Sequence, residues 1–208
     1  MTDSVAAPAE DWSHDDELFG HPKGLYVCFT TELWERFSFY GMKFLLPLYL
    51  TKYHLFTDEM GFDVLGSYAG LVYALPVIGG LIADRYLGMR KSVLFGGILL
   101  SLGHILMAVE GHEAITSPAG HTLTESLTLA SGEVLAAGPM LTAAVTFRDT
   151  AALDVFYLAL ALIVMGVGYL KPNNSTIVGK LSGKDDPRRD SGFTIFYMGI
   201  NIGSFAAT

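Results

Sequence analysis

The chain has 208 residues, of which 51% are hydrophobic and 16% charged, with a net charge of −8. Its single cysteine, Cys28, excludes an internal disulfide, no Cys/His cluster has zinc spacing, and the absence of a basic, aromatic-interleaved patch speaks against nucleic acid as a partner. Lys, Arg, Asp and Glu crowd into short stretches, and the long stretches between them lack the polar stripe that a soluble helix needs.

Residues 1–22 come first, with Asp3, Glu10, Asp11, Asp15, Asp16 and Glu17. They read as a disordered, acidic cytoplasmic tail, without the basic and apolar regions of a cleavable signal. Residues 23–208 follow as a transmembrane bundle. A spanning helix needs about 20 mostly apolar residues, which predicts spans over about 24–53, 64–84, 92–109 and 153–178. A fifth run, 193–208, stops before it could cross, so the expectation is a longer polypeptide whose remaining transmembrane helices lie beyond Thr208. Repeated apolar runs with charge confined to the connections are better explained by membrane lipid than by a large soluble core.

The connection after the second span carries Arg85, Arg90 and Lys91, and the one after the fourth carries Lys180, Lys184, Arg188 and Arg189. The positive-inside rule places both in the cytoplasm, together with the amino terminus. Residues 111–147 contain no Lys or Arg and should face outside. The stretch 111–149 therefore reads as an extracytoplasmic insertion. Its Thr- and Val-rich segments, broken at Ser131-Gly132 and Gly138-Pro139, suit a small hairpin.

The first span holds charges where lipid disfavours them. Each intramembrane ionisable group costs roughly 2.5–3.5 kcal/mol on insertion scales, so such groups pair or face a watery cavity. At about 100° per residue, Glu32, Arg36, Tyr40 and Lys43 share one arc of the helix, with Glu35 beside it. Glu32 and Arg36 are i and i+4, close enough to pair, whereas the sequence neighbours Glu35 and Arg36 diverge. Two carboxylates sharing one cation suit proton uptake and release, because burial and a nearby cation act on a carboxyl in opposite senses. The bland alternative is a structural ion pair pinning helices together.

Lys171 follows a charge-free run and precedes Pro172, Asn173 and Asn174. Pro172 is expected to open the helix and free carbonyls for a site; the alternative is a lysine snorkelling to the surface. Tyr68 suits an interfacial belt, Tyr73 sits near mid-span and needs a hydrogen-bond partner, and His104 reads as a satisfied packing histidine, with a proton relay as the alternative. The loop over 80–91 has glycines for close helix approach, and Asp84, Arg85 and Arg90 for ion pairs that would hold one state, against the simpler role of a positive anchor. No arrangement typical of an enzyme is present, and no cofactor is expected.

Four of these stretches resemble one family. Glu32-x-x-Glu35-Arg36-Phe37 with Tyr40-Gly41 resembles the first-helix motif of the proton-dependent oligopeptide transporters, members of the major facilitator superfamily. The 80–91 loop resembles that superfamily's loop between helices two and three. Leu170-Lys171-Pro172-Asn173 is similar to the family's fourth-helix motif, and residues 196–203 to its fifth-helix signature. The resemblance implies an all-α membrane protein with two six-helix halves working by alternating access, this chain supplying most of the first half. It implies proton-coupled symport of di- and tripeptides, with protons as the coupling ion. Glu32, Glu35 and Arg36 would couple protons, and Arg36, Tyr40, Lys43, Tyr73, Lys171 and Asn201 would line the peptide site. Cationic groups would hold the peptide carboxylate, and Asn201 its backbone amide.

Some residues depart from the family pattern. Phe39 stands where a tyrosine is common, Lys43 where arginine is frequent, and Ala69 where mammalian members carry a histidine, which leaves proton coupling to carboxylates. The insertion is not part of the common core. These features suggest a bacterial inner membrane protein. The alternatives are a same-fold carrier of another small solute such as nitrate, which the full first-helix motif disfavours, and a non-transporting scaffold, which would not need paired intramembrane carboxylates.

Overall fold

The structure, a computed structural model, describes residues 17–109, 111–128, 134–138, 140–183 and 186–208. After a small hairpin of β1 (Glu17–Leu18) and β2 (His21–Pro22), the described chain runs through α1 (Lys23–Leu48), α2 (Asp58–Ile82) and α3 (Met89–Leu106). An insertion with β3 (Ile115–Ser117), β4 (Leu127–Thr128), β5 (Val134–Leu135) and β6 (Val145–Phe147) follows, then α4 (Thr150–Leu181) and α5 (Arg189–Ala206).

The ends of the helices follow local chemistry more closely than hydropathy does. α2 starts at Asp58, not 64, because Thr57 accepts a hydrogen bond from the Met60 amide (3.3 Å) and Asp58 and Glu59 occupy the first turn. Both features stabilise a helix start, and both are polar, so they hide the turn from a hydropathy window. α1 and α2 each continue through a wider π-helical turn, Tyr49–Tyr53 and Ala83–Leu87. The second makes most of the expected 80–91 loop helical. Gly88 (φ 77°) ends it in a conformation that favours glycine. Asp149 caps α4 through the Ala152 amide (3.1 Å). α4 does not open at Pro172, contrary to the sequence expectation. The Asn173 side chain donates to the Tyr169 carbonyl (2.7 Å), and neighbouring helices enclose the kink-prone turn.

Asp58–Leu87, Met89–Leu106 and Thr150–Leu181 are each long and apolar enough to cross a membrane. α1 is long enough, at about 39 Å, but carries its charges internally; α5 opens with Arg189 and Asp190. The chain is an integral membrane protein.

Its core gathers around α4. Phe156, Leu160, Ile163, Val164 and Val167 pack against Phe39, Leu46 and Leu50 and against Tyr68 and Val72 of α2. A second cluster joins Leu25 and Cys28 of α1 to Val178 of α4 and Phe196 of α5. Lipid supplies no hydrophobic force between helices, so close fit depends on small residues. Gly96 of α3 lies so near α4 that a Cβ there would come within 2.6 Å of the Gly166 carbonyl oxygen. Gly203 of α5 meets the Leu33 backbone of α1 in the same way.

Connections at each end tie the helices together. At one end, Arg188 binds Glu17 (2.8 Å), the Gly20 carbonyl (3.1 Å) and Asp186 (3.0 Å). Residues 17–22, assigned to the disordered tail on sequence, are folded here because this guanidinium fastens the β1–β2 hairpin to the α4–α5 connection; residues 1–16 of that tail lie outside the described residues. At the other end, Arg148 donates to the His54 (2.6 Å) and Leu55 (2.8 Å) carbonyls, and the Tyr53 hydroxyl to the Gly111 carbonyl (2.9 Å). The insertion is a nested hairpin: β3 pairs with β6, β4 with β5, and Thr122 bridges to Met140. Leu123, Leu141 and Phe147 give it a small core of its own. Ser131-Gly132 and Pro139 lie outside the described residues.

His54, just outside α1's span, is fully buried, and neither ring nitrogen has a hydrogen-bond partner among the described residues. Its ring lies 4.8 Å from Tyr49, 5.1 Å from Tyr53 and 6.4 Å from Phe56, centroid to centroid. Burial first, and Arg148 second, hold its pKa below the ordinary histidine value. A folded-state pKa below the unfolded one means the unfolded chain binds more protons in that window, so stability falls as pH drops below about 6.5. Thermal unfolding of wild type should therefore show an acid-side loss that His54→Phe flattens.

Candidate functional site

The charges predicted along α1 form one buried cluster. Glu32, Glu35 and Arg36 are 3%, 5% and 5% exposed. Arg36 grips Glu35 with both arms of its guanidinium: Nε donates to Oε2, and Nη2 to Oε1 at 2.5 Å. Its Nε also lies 3.4 Å from Glu32 Oε1. The i,i+4 pair expected on sequence is present. The expected divergence of Glu35 and Arg36 is not, because the long arginine side chain folds back beside its neighbour. One planar guanidinium thus serves two carboxylates, and its fork geometry favours the bidentate partner.

Asn174 of α4 completes the cluster. Its amide nitrogen lies 3.2 Å from Glu32 Oε2 and 3.2 Å from the Cys28 carbonyl. The sequence reading gave Asn174 no role. The signal was there, since two asparagines in an apolar span need polar partners.

Lys171 lies one turn earlier on α4, beside the cluster. It is half-buried, its ammonium 5.1 Å above the Tyr73 ring, within electrostatic reach of Glu32, Glu35 and Arg36. The contact with Tyr73 is cation–π to the ring and not the hydrogen bond expected of the Tyr73 hydroxyl. Tyr73 is 61% exposed, on the open side of this wall, and meets Phe39 edge-on (6.2 Å). Tyr68 departs from its interfacial expectation. Because α2 begins early, Tyr68 is buried and stacks on Phe39 (6.1 Å). Phe39 thus anchors two rings of α2, and Arg36 lies 5.3 Å from its centroid.

Tyr40 contacts Phe39 (5.3 Å) and is half-buried beside the cluster. Lys43 is exposed about two turns further along α1. Asn201 is exposed on α5, its amide donating to the Tyr197 carbonyl (3.2 Å). Glu32, Glu35, Arg36, Tyr40, Tyr73 and Lys171 are therefore brought together, while Lys43 and Asn201 are exposed and, among the described residues, form no hydrogen bond or ion pair with them. Asp84, Arg85 and Arg90 are exposed at the α2–α3 connection, away from the cluster, with Arg85 5.5 Å from the Tyr86 ring. His104 is satisfied as expected, but it is not packed. It is exposed, with Nε2 2.5 Å from the Ser38 hydroxyl and Nδ1 2.7 Å from the Leu100 carbonyl.

A buried cation shared by two carboxylates, beside a half-buried lysine and the exposed Tyr73 ring, can exchange protons and hold an anionic group. Known proteins are similar to this chain in sequence and fold. The family model described as "POT family" matches residues 90–208. A protein named di-/tripeptide transporter from Lactococcus lactis is 39% identical over 199 residues, covering 91% of this chain and 32% of that protein. An uncharacterized transporter of Bacillus subtilis, YclF, is 38% identical over 200 residues, with 91% and 32% covered. A crystal structure of peptide transporter POT in complex with sulfate superimposes with a TM-score of 0.69 at 37% identity, over 92% of this chain and 32% of that one. A POT family transporter in complex with 5-aminolevulinic acid gives 0.66 at 30% identity, over 90% and 31%. The chain thus spans about a third of the length of the curated relatives it matches. With its membrane helices, its first-helix charge cluster and a family match over more than half its length, the chain belongs to the POT family.

Proposed function

We propose that the chain is the amino-terminal part of a proton-coupled symporter of di- and tripeptides, working by alternating access. The observation that carries this reading is the Glu32–Glu35–Arg36 cluster inside α1, with Lys171 and Tyr73 facing it from α4 and α2. Relatives named di-/tripeptide transporter and dipeptide and tripeptide permease support the substrate class.

Protons and substrate are linked through one guanidinium. Protonating Glu35 removes the bidentate partner of Arg36, and the freed donors can take a peptide's terminal carboxylate. Lys171 adds a second cation for the same carboxylate. Tyr40, Tyr73, Lys43 and Asn201 extend the wall on which the rest of the peptide lies. Asp84, Arg85 and Arg90 hold the loop end in one state through charge contacts that change as the halves rock. Arg85, Arg90 and Arg188 at one end, and residues 111–147 without Lys or Arg at the other, support a cytoplasmic amino terminus in a bacterial inner membrane.

Uptake of labelled dialanine by the full-length transporter in liposomes, driven by an inward proton gradient, tests the substrate. Unlabelled dipeptide should compete and nitrate should not; the reverse would replace peptide with nitrate. Lys171→Ala should raise the apparent KM roughly 10–100-fold, as expected for losing a charge-assisted hydrogen bond of about 1.5–3 kcal/mol. An unchanged KM would remove Lys171 from the site.

A further inference from the structure

Ser38, His104 and Glu35 border one cleft between α1, α3 and α4, about 320 Å³ in volume and also lined by Thr31 and Ser101. Thr31, Glu35, Ser38, Ser101 and His104 bring polar side chains to a lining that is otherwise apolar. An ionisable side chain inside a span is a functional signal by default, and histidines there commonly belong to proton relays.

The hydrogen bonds fix the tautomer of His104. The Leu100 carbonyl can only accept, so Nδ1 carries the hydrogen. Nε2 is then the basic nitrogen, and the Ser38 hydroxyl donates to it at 2.5 Å. Ser38 is one turn from Glu35 on α1, i to i+3, and both border the cleft. Among the described residues of this cleft, Glu35 is the only other side chain that ionises; α3 and α4 contribute Gly97, Leu100, Ser101 and Leu170. His104 also borders a second cleft, where α1 contributes Trp34, Phe37 and Met42 and α5 its last residues. His104 lies within a turn of the extracytoplasmic end of α3, whereas Glu35 lies deeper.

We propose that His104 and Ser38 form a proton path from the extracytoplasmic side to Glu35, separate from the peptide-binding wall of Lys171 and Tyr73. A proton from outside water binds Nε2 and makes imidazolium. Ser38 Oγ then accepts that proton while its own hydroxyl proton passes through cleft water to the Glu35 carboxylate. The imidazole returns to its neutral state with Nδ1–H still on the Leu100 carbonyl. The path rests on the function proposed above.

The test uses full-length transporter in liposomes and two readings on each preparation: gradient-driven dialanine accumulation across a series of external pH values, and dialanine exchange without a gradient. His104→Gln keeps a polar group at the Nε2 position facing Ser38 but cannot carry a proton. It should slow driven uptake roughly tenfold or more and flatten its dependence on external pH, while exchange stays at the wild-type rate. Ser38→Ala should do the same, and Ser38→Thr should restore the wild-type profile. Driven uptake and pH profile unchanged in His104→Gln would overturn the path. Exchange falling in parallel with driven uptake would also overturn it, in favour of a structural role. Wild type that exchanges no peptide at all would overturn the function itself, and this path with it.

Discussion

Arg36→Gln is expected to destabilise the transporter by about 3–5 kcal/mol, the scale for stripping one partner from a buried ion pair. Arg36 is the cation in contact with both Glu32 and Glu35, and all three are nearly inaccessible. Gln keeps hydrogen-bond donors but not the charge, so two carboxylates remain close together without compensation. Glu35→Gln should be milder, because Glu32 stays 3.4 Å from Arg36 and keeps the cation paired. Thermal unfolding of purified full-length protein in detergent gives the comparison directly. Arg36→Gln unfolding at the wild-type temperature would mean that the cluster is not held by its charge.

Gly203→Leu should have the second large effect. A Cβ on Gly203 would overlap the Leu33 backbone and sit 3.1 Å from the Arg36 Cβ. Neither neighbour is the far end of a flexible chain, so α5 must move away from α1. Overpacking of this kind costs about 1–3 kcal/mol and sometimes more. Here it also shifts the helix that carries the charge cluster, so driven uptake should fall along with stability. Gly97→Leu is the matched control. It lies beside Gly96 on α3, but nothing lies within 4 Å of an added Cβ, and its stability should stay near wild type. Equal melting temperatures for the two variants would contradict the close α1–α5 crossing.

What the sequence made legible was set by periodicity. The helices were visible because lipid imposes a length and a composition, and the Glu32–Arg36 pair because i and i+4 are neighbours on any helix. The Arg36–Glu35 fork was not, because helical position gives the direction of a Cβ and not the reach of a long side chain. Tyr68 was misplaced for a different reason: the polar cap at Thr57 lengthens α2 and moves that ring inward. Asn174 and the Ser38–His104 contact join residues far apart in sequence, which no local pattern can pair. The insertion was foreseen as a hairpin, but its strands are two or three residues long. At that length there is too little alternation to set a register.

The most direct measurement compares gradient-driven accumulation with exchange in Glu35→Gln, using full-length transporter in liposomes and labelled dialanine. Glu35 holds Arg36 by two hydrogen bonds, and Gln mimics a carboxyl that is permanently protonated. Wild type should concentrate dialanine only with an inward proton gradient. Glu35→Gln should lose that accumulation and still exchange labelled for unlabelled dialanine at a comparable rate. Accumulation by Glu35→Gln equal to wild type, or by wild type without a gradient, would contradict proton coupling through this cluster.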